Sequence, residues 1–509
     1  MIIIVDFGSQ TTHLIARRLK EFGVGVQIVN PENAMAKINR FKAGGIILSG
    51  GPSSVYEKNA QKVDISIFSL GIPVLGICYG LQLTAHLLGG KVISGKKEYG
   101  PTKLKIKNYK LKITTGLPKS FVVWMSHGDE VVNLPEGFKV FGLTENVPFA
   151  IVGDIERNIF GLQFHPEVEH TEFGNKILKN FVEICEVTVL KKNFDIFKME
   201  ETIKKNVGEK DYVIGAVSGG VDSTVAAALT AKAIGKRFIP IYVDNGLMRE
   251  GTTAYVKKIF KEIGIEPIVV NAAGEMLKRL KKITDSEKKR KIIGNFYIEI
   301  FEKEMKKLKM KNISVKHLLQ GTIYSDVIES QGTKNAAKIK SHHNVGGLPK
   351  KMKLKLLEPV RNFYKDEVRE IGRLLGLSEE FINKQPFPGP GYAVRIRGEV
   401  TKQRLAMEKK ADKIVLSEIQ TAGLYPKVFL SFPVMTNAFS TAVKGDGRQF
   451  GEVIAVRIIE SKDIMTSNWA KIPYDILQRI SSRIVNEVKG VSRVVYDITT
   501  KPPATMEWE

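Results

Sequence analysis

Unbroken apolar runs alternate with amphipathic segments along this chain, and that alternation predicts an α/β architecture. The runs "IIIVD" (2–6), "GIILSG" (45–50) and "PVLGI" (73–77) are short and β-branched, as strands buried on both faces of a parallel sheet are. "SQTTHLIARRLKEFG" (9–23) carries the helical period after the first of them. Residues 186–210 are charged and lack a strand pattern, which predicts a linker and a lead-in helix. A second α/β unit follows: strand "YVIGAVSGG" (212–220), helix "STVAAALTAKAIG" (223–235), strand "FIPIYVD" (238–244). The lysine-rich stretch 274–312 reads as helix with a mobile, solvated portion near "KKITDSEKKRKIIG" (281–294), either a static surface helix or a lid. Proline and glycine in "NKQPFPGPGYAVRIRG" (383–398) stop the helical pattern and open a third region. The expected domains are 1–188, 189–384 and 385–509.

Composition narrows this picture. A chain of 509 residues with 43% hydrophobic content has room for about three packed domains. Its two cysteines, Cys78 and Cys185, exclude a disulfide framework and point to a reducing, cytoplasmic setting. "MIIIVDFGSQ" has no signal-peptide pattern. Residues 65–90 carry no Asp, Glu, Lys or Arg, yet Pro73, five glycines, Gln82 and His86 favour a strand, turn and buried helix over a membrane span. The net charge of +24 is spread through the chain without a nucleic-acid-binding signature, so neither nucleic acid nor membrane is the expected partner.

Candidate chemistry begins at "GICYG", where Gly76 and Gly80 flank Cys78 as glycines flank the nucleophile of a strand-to-helix elbow. Such a turn thrusts the central side chain outward, and the helix start favours a thiolate. The plainer reading is a buried cysteine acting as a small apolar residue. "FHPE" offers His165 as a base and Glu167 to orient it. "SGGPSS" (49–54) offers a backbone N–H for an oxyanion, and "SHGDE" offers Asp129 to grip an amine. On these residues 1–185 resemble a class I glutamine amidotransferase domain of flavodoxin-like fold. The resemblance implies Cys78 as nucleophile, His165 as base and Glu167 as its partner. It also implies an oxyanion hole from the N–H groups of Gly51 and Tyr79, with Gln82 and Asp129 holding glutamine.

"VSGGVDST" (217–224) joins a strand to a helix, so Gly219 and Gly220 bring backbone N–H groups close to a phosphate while Ser218, Ser223 and Thr224 add hydroxyls. No lysine follows at the Walker A position. S-G-G-x-D-S resembles the loop of ATP pyrophosphatases, of adenine nucleotide α-hydrolase-like fold. That implies ATP held by Ser218, Gly219, Gly220, Val221, Asp222 and Ser223, adenine near Val243, and Mg²⁺ on Asp222.

"QGTIYSDVIES", "SHHNVGG", "EPVRNFYKDEVR", "FPGPGYAVRIRG" and "VYDITTKPPATMEWE" extend the resemblance end to end, to the glutamine-hydrolysing GMP synthetase family. It departs at Ser325, Met506 and, loosely, across 424–448. The family implies adenylylation of xanthosine monophosphate (XMP) and displacement of AMP by ammonia, so the small-molecule partners are glutamine, ATP and XMP. It implies XMP contacts from Arg395, Lys501 and Glu507, and a small C-terminal α+β domain that pairs the chain as a homodimer. His342 and His343 read as site-lining or structural, because adjacent strand residues face opposite sides. The rivals are another pyrophosphate-loop amidotransferase, such as glutamine-dependent NAD synthetase, and a basic nucleic-acid-binding protein.

Overall fold

The computed structural model describes the chain except residues 10, 108–110, 191–192, 325, 328–353, 445–446, 462–465 and 502, and the side chains of 96 and 444. Ser325, His342 and His343 therefore lie outside the described residues. Two compact units result, Met1–Asn193 and a second running from Phe194 to Glu509.

In the first unit the strands are β1 (Ile2–Val5), β2 (Val26–Val29), β3 (Gly45–Leu48), β4 (Val74–Ile77), β5 (Lys91–Ile106), β6 (Ser120–Asn133), β7 (Lys139–Leu143), β8 (Ile151–Asp154) and β9 (Ile159–Leu162). They form one sheet in the order β2-β1-β3-β4-β9-β8-β7-β5-β6. From β2 to β9 the pairing is parallel, and every residue of β1, β3, β4 and β9 is buried. That is why these strands read as continuous apolar runs rather than alternations. Helices α1 (Thr12–Glu21), α2 (Ala34–Phe41), α3 (Tyr79–Leu87) and α4 (Gly174–Ile184) supply the helical layers of the flavodoxin-like plan. The stretch 65–90 resolves into a 3-10 turn (Ile65–Ser69), β4, the turn at Cys78 and the whole of α3; no helix among the described residues is long and apolar enough to cross a membrane.

The second unit starts with α5 (Ile196–Val207), the expected lead-in helix. Its five-stranded sheet comprises β10 (Tyr212–Ala216), β11 (Phe238–Asp244), β12 (Ile268–Asn271), β13 (Val315–Leu319) and β14 (Lys355–Leu357), ordered β12-β11-β10-β13-β14 and wholly parallel. The chain leaves β10 toward β11 and returns to its other side as β13, so β10 borders the switch point where ligands bind in open α/β sheets. Around it pack α6 (Val221–Ile234), α7 (Thr252–Glu262), α8 (Ala273–Leu280), α9 (Ser286–Met310), α10 (Lys365–Leu374) and α11 (Glu379–Ile382). A second sheet follows α12 (Lys402–Thr421): β15 (Leu430–Lys444), β16 (Gly447–Glu460), β17 (Asn468–Trp469) and β18 (Val491–Tyr496), with α13 (Tyr474–Glu487) before β18. Both sheets contribute to one core, which holds Ile214 and Val243 together with Ile454 and Ile480.

The lysine-rich segment is solvated at Lys281, Lys282, Lys288 and Lys291, as expected, but not at Lys289. α9 begins at Ser286, capped by Asp285, and Lys289 is wholly buried. Its Nζ donates to Ala393 O (3.1 Å), Ile396 O (2.6 Å) and Glu509 Oε2 (3.0 Å). A buried ammonium is tolerated where all three donors are satisfied. Lys289 therefore pins α9 to the region after the Pro-Gly loop.

Candidate active sites

β3, β4 and β9 are neighbours in the first sheet and point the same way, so the segments leaving their C-terminal ends converge. These segments are "SGGPSS", "CYG" and "FHPE".

β4 turns into α3 at Cys78, which has φ 52° and ψ −107°, a conformation that costs a non-glycine residue about 1–3 kcal/mol. The Cys78 N–H bonds to Leu162 O at 2.7 Å, which fixes the elbow to β9. A Cβ on Gly76 would lie 2.6 Å from the Gly80 carbonyl, so the spacing of the two glycines answers a steric demand. The Cys78 side chain is near enough to His165 to act on the ring's charge, raising its pKa. Its sulfur also lies 3.5 Å from Ser126 O and 3.8 Å from Gln163 Nε2.

His165 Nδ1 meets Glu167 Oε1 at 2.8 Å, which leaves the other ring nitrogen for the thiol. Glu167 is wholly buried. Burial alone would lower the His165 pKa; the Glu167 charge and hydrogen bond, with the neighbouring Cys78, outweigh it and hold the value well above 6.5. The loop is fastened from three sides: His165 N–H to Trp124 O (3.1 Å), Thr171 Oγ1 to His165 O (2.6 Å) and Arg18 Nε to Glu167 O (3.3 Å).

Tyr79 opens α3, so its N–H has no partner within the helix. Gly51 approaches it closely; a Cβ there would lie 3.4 Å from Tyr79 Cγ and 2.9 Å from Phe7 O. Gln82 Nε2 donates to Asp129 O (2.9 Å), while Tyr56 OH donates to Asp129 Oδ1 (3.0 Å). The expected residues of this site are thus brought together. Tyr56, Gln163 and Ser126 join them without any sequence signal, since each contributes through a neighbour distant in the chain.

In the second unit Gly219 takes φ 76° between β10 and α6, and a Cβ there would lie 2.7 Å from Val256 Cγ2. Ser218 Oγ and Ser223 Oγ are 3.1 Å apart, and Gly220 N–H donates to Ser218 Oγ at 3.3 Å, which shapes a loop open at the start of α6. Asp222 Oδ2 accepts from Lys365 Nζ of α10 at 2.5 Å. Its Oδ1 is buried and has no hydrogen-bond partner among the described residues. That free oxygen beside an open phosphate loop fits a divalent cation, whose remaining ligands would be phosphate and water. No cluster of three or more His, Cys, Asp or Glu suited to a metal occurs among the described residues. Val243 is buried in β11, beside β10. Lys365 was not foreseen, because 143 residues separate it from Asp222.

Arg395 and Glu507 are brought onto each other. Arg395 is wholly buried, its Nε and a terminal nitrogen reaching the Glu507 carboxylate at 3.1 and 2.9 Å, with Phe432 stacked 4.1 Å from the guanidinium. Asp412, 3.5 Å away, also takes two bonds from Arg249 of the segment after β11 (2.6 and 3.0 Å). Arg395 thus reaches a protein carboxylate here, not the open position expected for a phosphate contact. Lys501 pairs with Ser467 through its backbone.

Residues 3–185 match the family glutamine amidotransferase class-I, 195–305 the family NAD synthase, and 417–508 the GMP synthase C terminal domain. A GMP synthase [glutamine-hydrolyzing] of Aquifex aeolicus is 50% identical over 514 aligned residues, covering 100% of this chain and 99% of the relative. The protein of that name from Kluyveromyces lactis is 50% identical, covering 100% and 98%, and one from Campylobacter jejuni is 49% identical, covering 100% and 99%. With two such sites on one chain, matched along its whole length, the chain belongs to the glutamine-hydrolysing GMP synthase family.

Proposed function

We propose that the chain makes GMP from XMP, ATP and glutamine, with Cys78 liberating ammonia and the loop after β10 activating the acceptor. The observation that carries this reading is an imidazole, beside the Cys78 thiol at the strand-to-helix elbow, whose Nδ1 meets a wholly buried carboxylate, in a chain that also bears an open phosphate loop.

Cys78 attacks the glutamine side-chain amide. The N–H groups of Tyr79 and Gly51 take up the developing negative charge, and His165 hands its proton to the leaving ammonia. Water then releases glutamate, with His165 acting as base. Glu167 keeps the ring oriented and stabilises its charged form. Asp129 and Gln82 hold glutamine. In the second unit Ser218 to Ser223 hold the ATP phosphates, with adenine near Val243. Asp222 and the phosphates would hold Mg²⁺, which supplies charge neutralisation as pyrophosphate leaves. The XMP oxygen is adenylylated, and ammonia displaces AMP. Arg395, Lys501 and Glu507 are the proposed XMP group. Lys501 and Glu507 are its partly exposed members, and Arg395 becomes available to a phosphate only as Glu507 turns to the ligand.

The proposed division into 1–188, 189–384 and 385–509 follows these roles. A homodimer through the C-terminal part is supported by exposed Phe439, Val443 and Phe450 on β15 and β16. The test supplies glutamine, ATP, Mg²⁺ and XMP and counts products. One GMP, AMP, pyrophosphate and glutamate per turnover supports the reading; ADP in place of AMP, or glutamate without GMP, contradicts it. Deamido-NAD as acceptor separates it from NAD synthesis and should remain unreacted.

A further inference from the structure

Behind the Cys78 site, β5 and β6 place Glu98 directly opposite His127. His127 Nδ1 lies 3.0 Å from Asp129 O. A carbonyl oxygen only accepts, so Nδ1 carries the proton, and a neutral ring then presents a lone pair at Nε2. That nitrogen faces Glu98 Oε2 at 3.6 Å. Both atoms are buried, and neither has a hydrogen-bond partner among the described residues. A lone pair and a carboxylate oxygen repel at this range; one additional proton between them turns repulsion into a bond. The other Glu98 oxygen is held by Thr102 Oγ1 (2.9 Å) and Asn146 Nδ2 (3.4 Å), so the carboxyl is aimed and not free to turn away.

The strand that His127 sits on has two jobs. The Ser126 carbonyl lies 3.5 Å from the Cys78 sulfur, and Asp129 presents a carboxylate whose main-chain oxygen also takes the Gln82 bond. We propose that Glu98 is a positioning residue for glutamine: it shares one proton with His127 and so fixes Ser126–Asp129 against the nucleophile. The inference rests on the glutaminase reading of Cys78 and Asp129. It also makes glutamine affinity depend on pH, because the shared proton is lost as pH rises toward neutrality, below the ordinary imidazole value. The charged groups around His127 are Glu98 and Lys97 on β5 and Asp129 and Glu130 on β6; burial lowers the His127 pKa below the ordinary imidazole value, and the Asp129 carbonyl and the charges of Glu98 and Glu130 offset it only in part, so the proton is shared on the acidic side of neutrality.

The experiment measures kcat and KM for glutamine, and the ammonium-driven rate, in wild type, Glu98→Ala and Glu98→Gln between about pH 5 and 8. At the acidic end of that range Glu98→Ala should raise KM roughly tenfold, the size of one net hydrogen bond, and change kcat less than about twofold. Glu98→Gln supplies an amide N–H to Nε2 without a titrating proton. Its KM should stay near the wild-type value at about pH 5 and lack the wild-type rise from there toward neutral pH. Unchanged KM in Glu98→Ala, or a wild-type pH profile in Glu98→Gln, overturns the proposal. Alkylation of Cys78 by iodoacetamide reports whether the elbow is intact; should Glu98→Ala slow it, the Glu98→Gln profile decides. Failure of the underlying reading looks different: Cys78→Ala would keep its glutamine-driven rate.

Discussion

Gly80 packs against the main chain of Leu48 so closely that a Cβ would lie 2.2 Å from the Leu48 carbonyl oxygen. That contact ties the start of α3 to β3 and sets where the Cys78 sulfur points. Gly80→Ala should move the elbow by a fraction of an ångström or more and lower the glutamine-driven rate by about 10²-fold. The ammonium-driven rate, which needs only the second unit, should be retained. Parallel assays with the two nitrogen sources check this; equal loss with both would contradict it.

The His165–Glu167 pair should leave a mark on stability. Its folded pKa is raised above the ordinary imidazole value, so its contribution is fully present below about pH 6.5 and is lost as pH rises through the folded value. Glu167→Gln removes the charge responsible. The melting temperature of the Met1–Asn193 unit should fall most in this variant near pH 6, and the gap to wild type should narrow toward pH 9. A gap independent of pH would count against the pair.

Gly219, at φ 76° with Val256 against the missing Cβ, has no room for a side chain. Gly219→Ala adds about 1 kcal/mol of left-handed strain to that clash and distorts the phosphate cradle. GMP formation should fall by at least about tenfold with either nitrogen source, while glutaminase turnover at Cys78 continues. ATP titration of the variant by calorimetry checks the cause: affinity should drop.

The Arg395–Glu507 pair sets a stability prediction for the second unit. Removing one member of a buried pair strands the other charge, and Glu507→Gln should cost roughly 3 kcal/mol, with Asp412 still facing Arg395. Replacing both, as Arg395→Met with Glu507→Leu, should recover part of it. Denaturant midpoints of the single and double variants measure the difference; a double variant weaker than the sum would deny the pairing.

Cys78, His165, Glu167 and the loop 218–223 were legible because their signals are local: glycine spacing, a strand running into a helix, a carboxylate two residues from its histidine. Lys289 misled because a lysine in a charged run reads as solvated, whereas three acceptors from distant segments bury it. The Glu507 partner of Arg395 was not legible for the same reason, since it stands 112 residues away. The β5–β6 ribbon that places Glu98 on His127 shifts register between Ser94 and Glu98, and alternation alone does not locate such a shift.

The central claim is that one thiol makes the ammonia and a separate unit spends it. The most direct measurement is GMP formation by Cys78→Ala with XMP, ATP and Mg²⁺, supplied with glutamine in one assay and an ammonium salt in the other. No GMP from glutamine with an undiminished rate from ammonium is the predicted result. GMP from glutamine, or loss of synthesis from both sources in a folded variant, would contradict it.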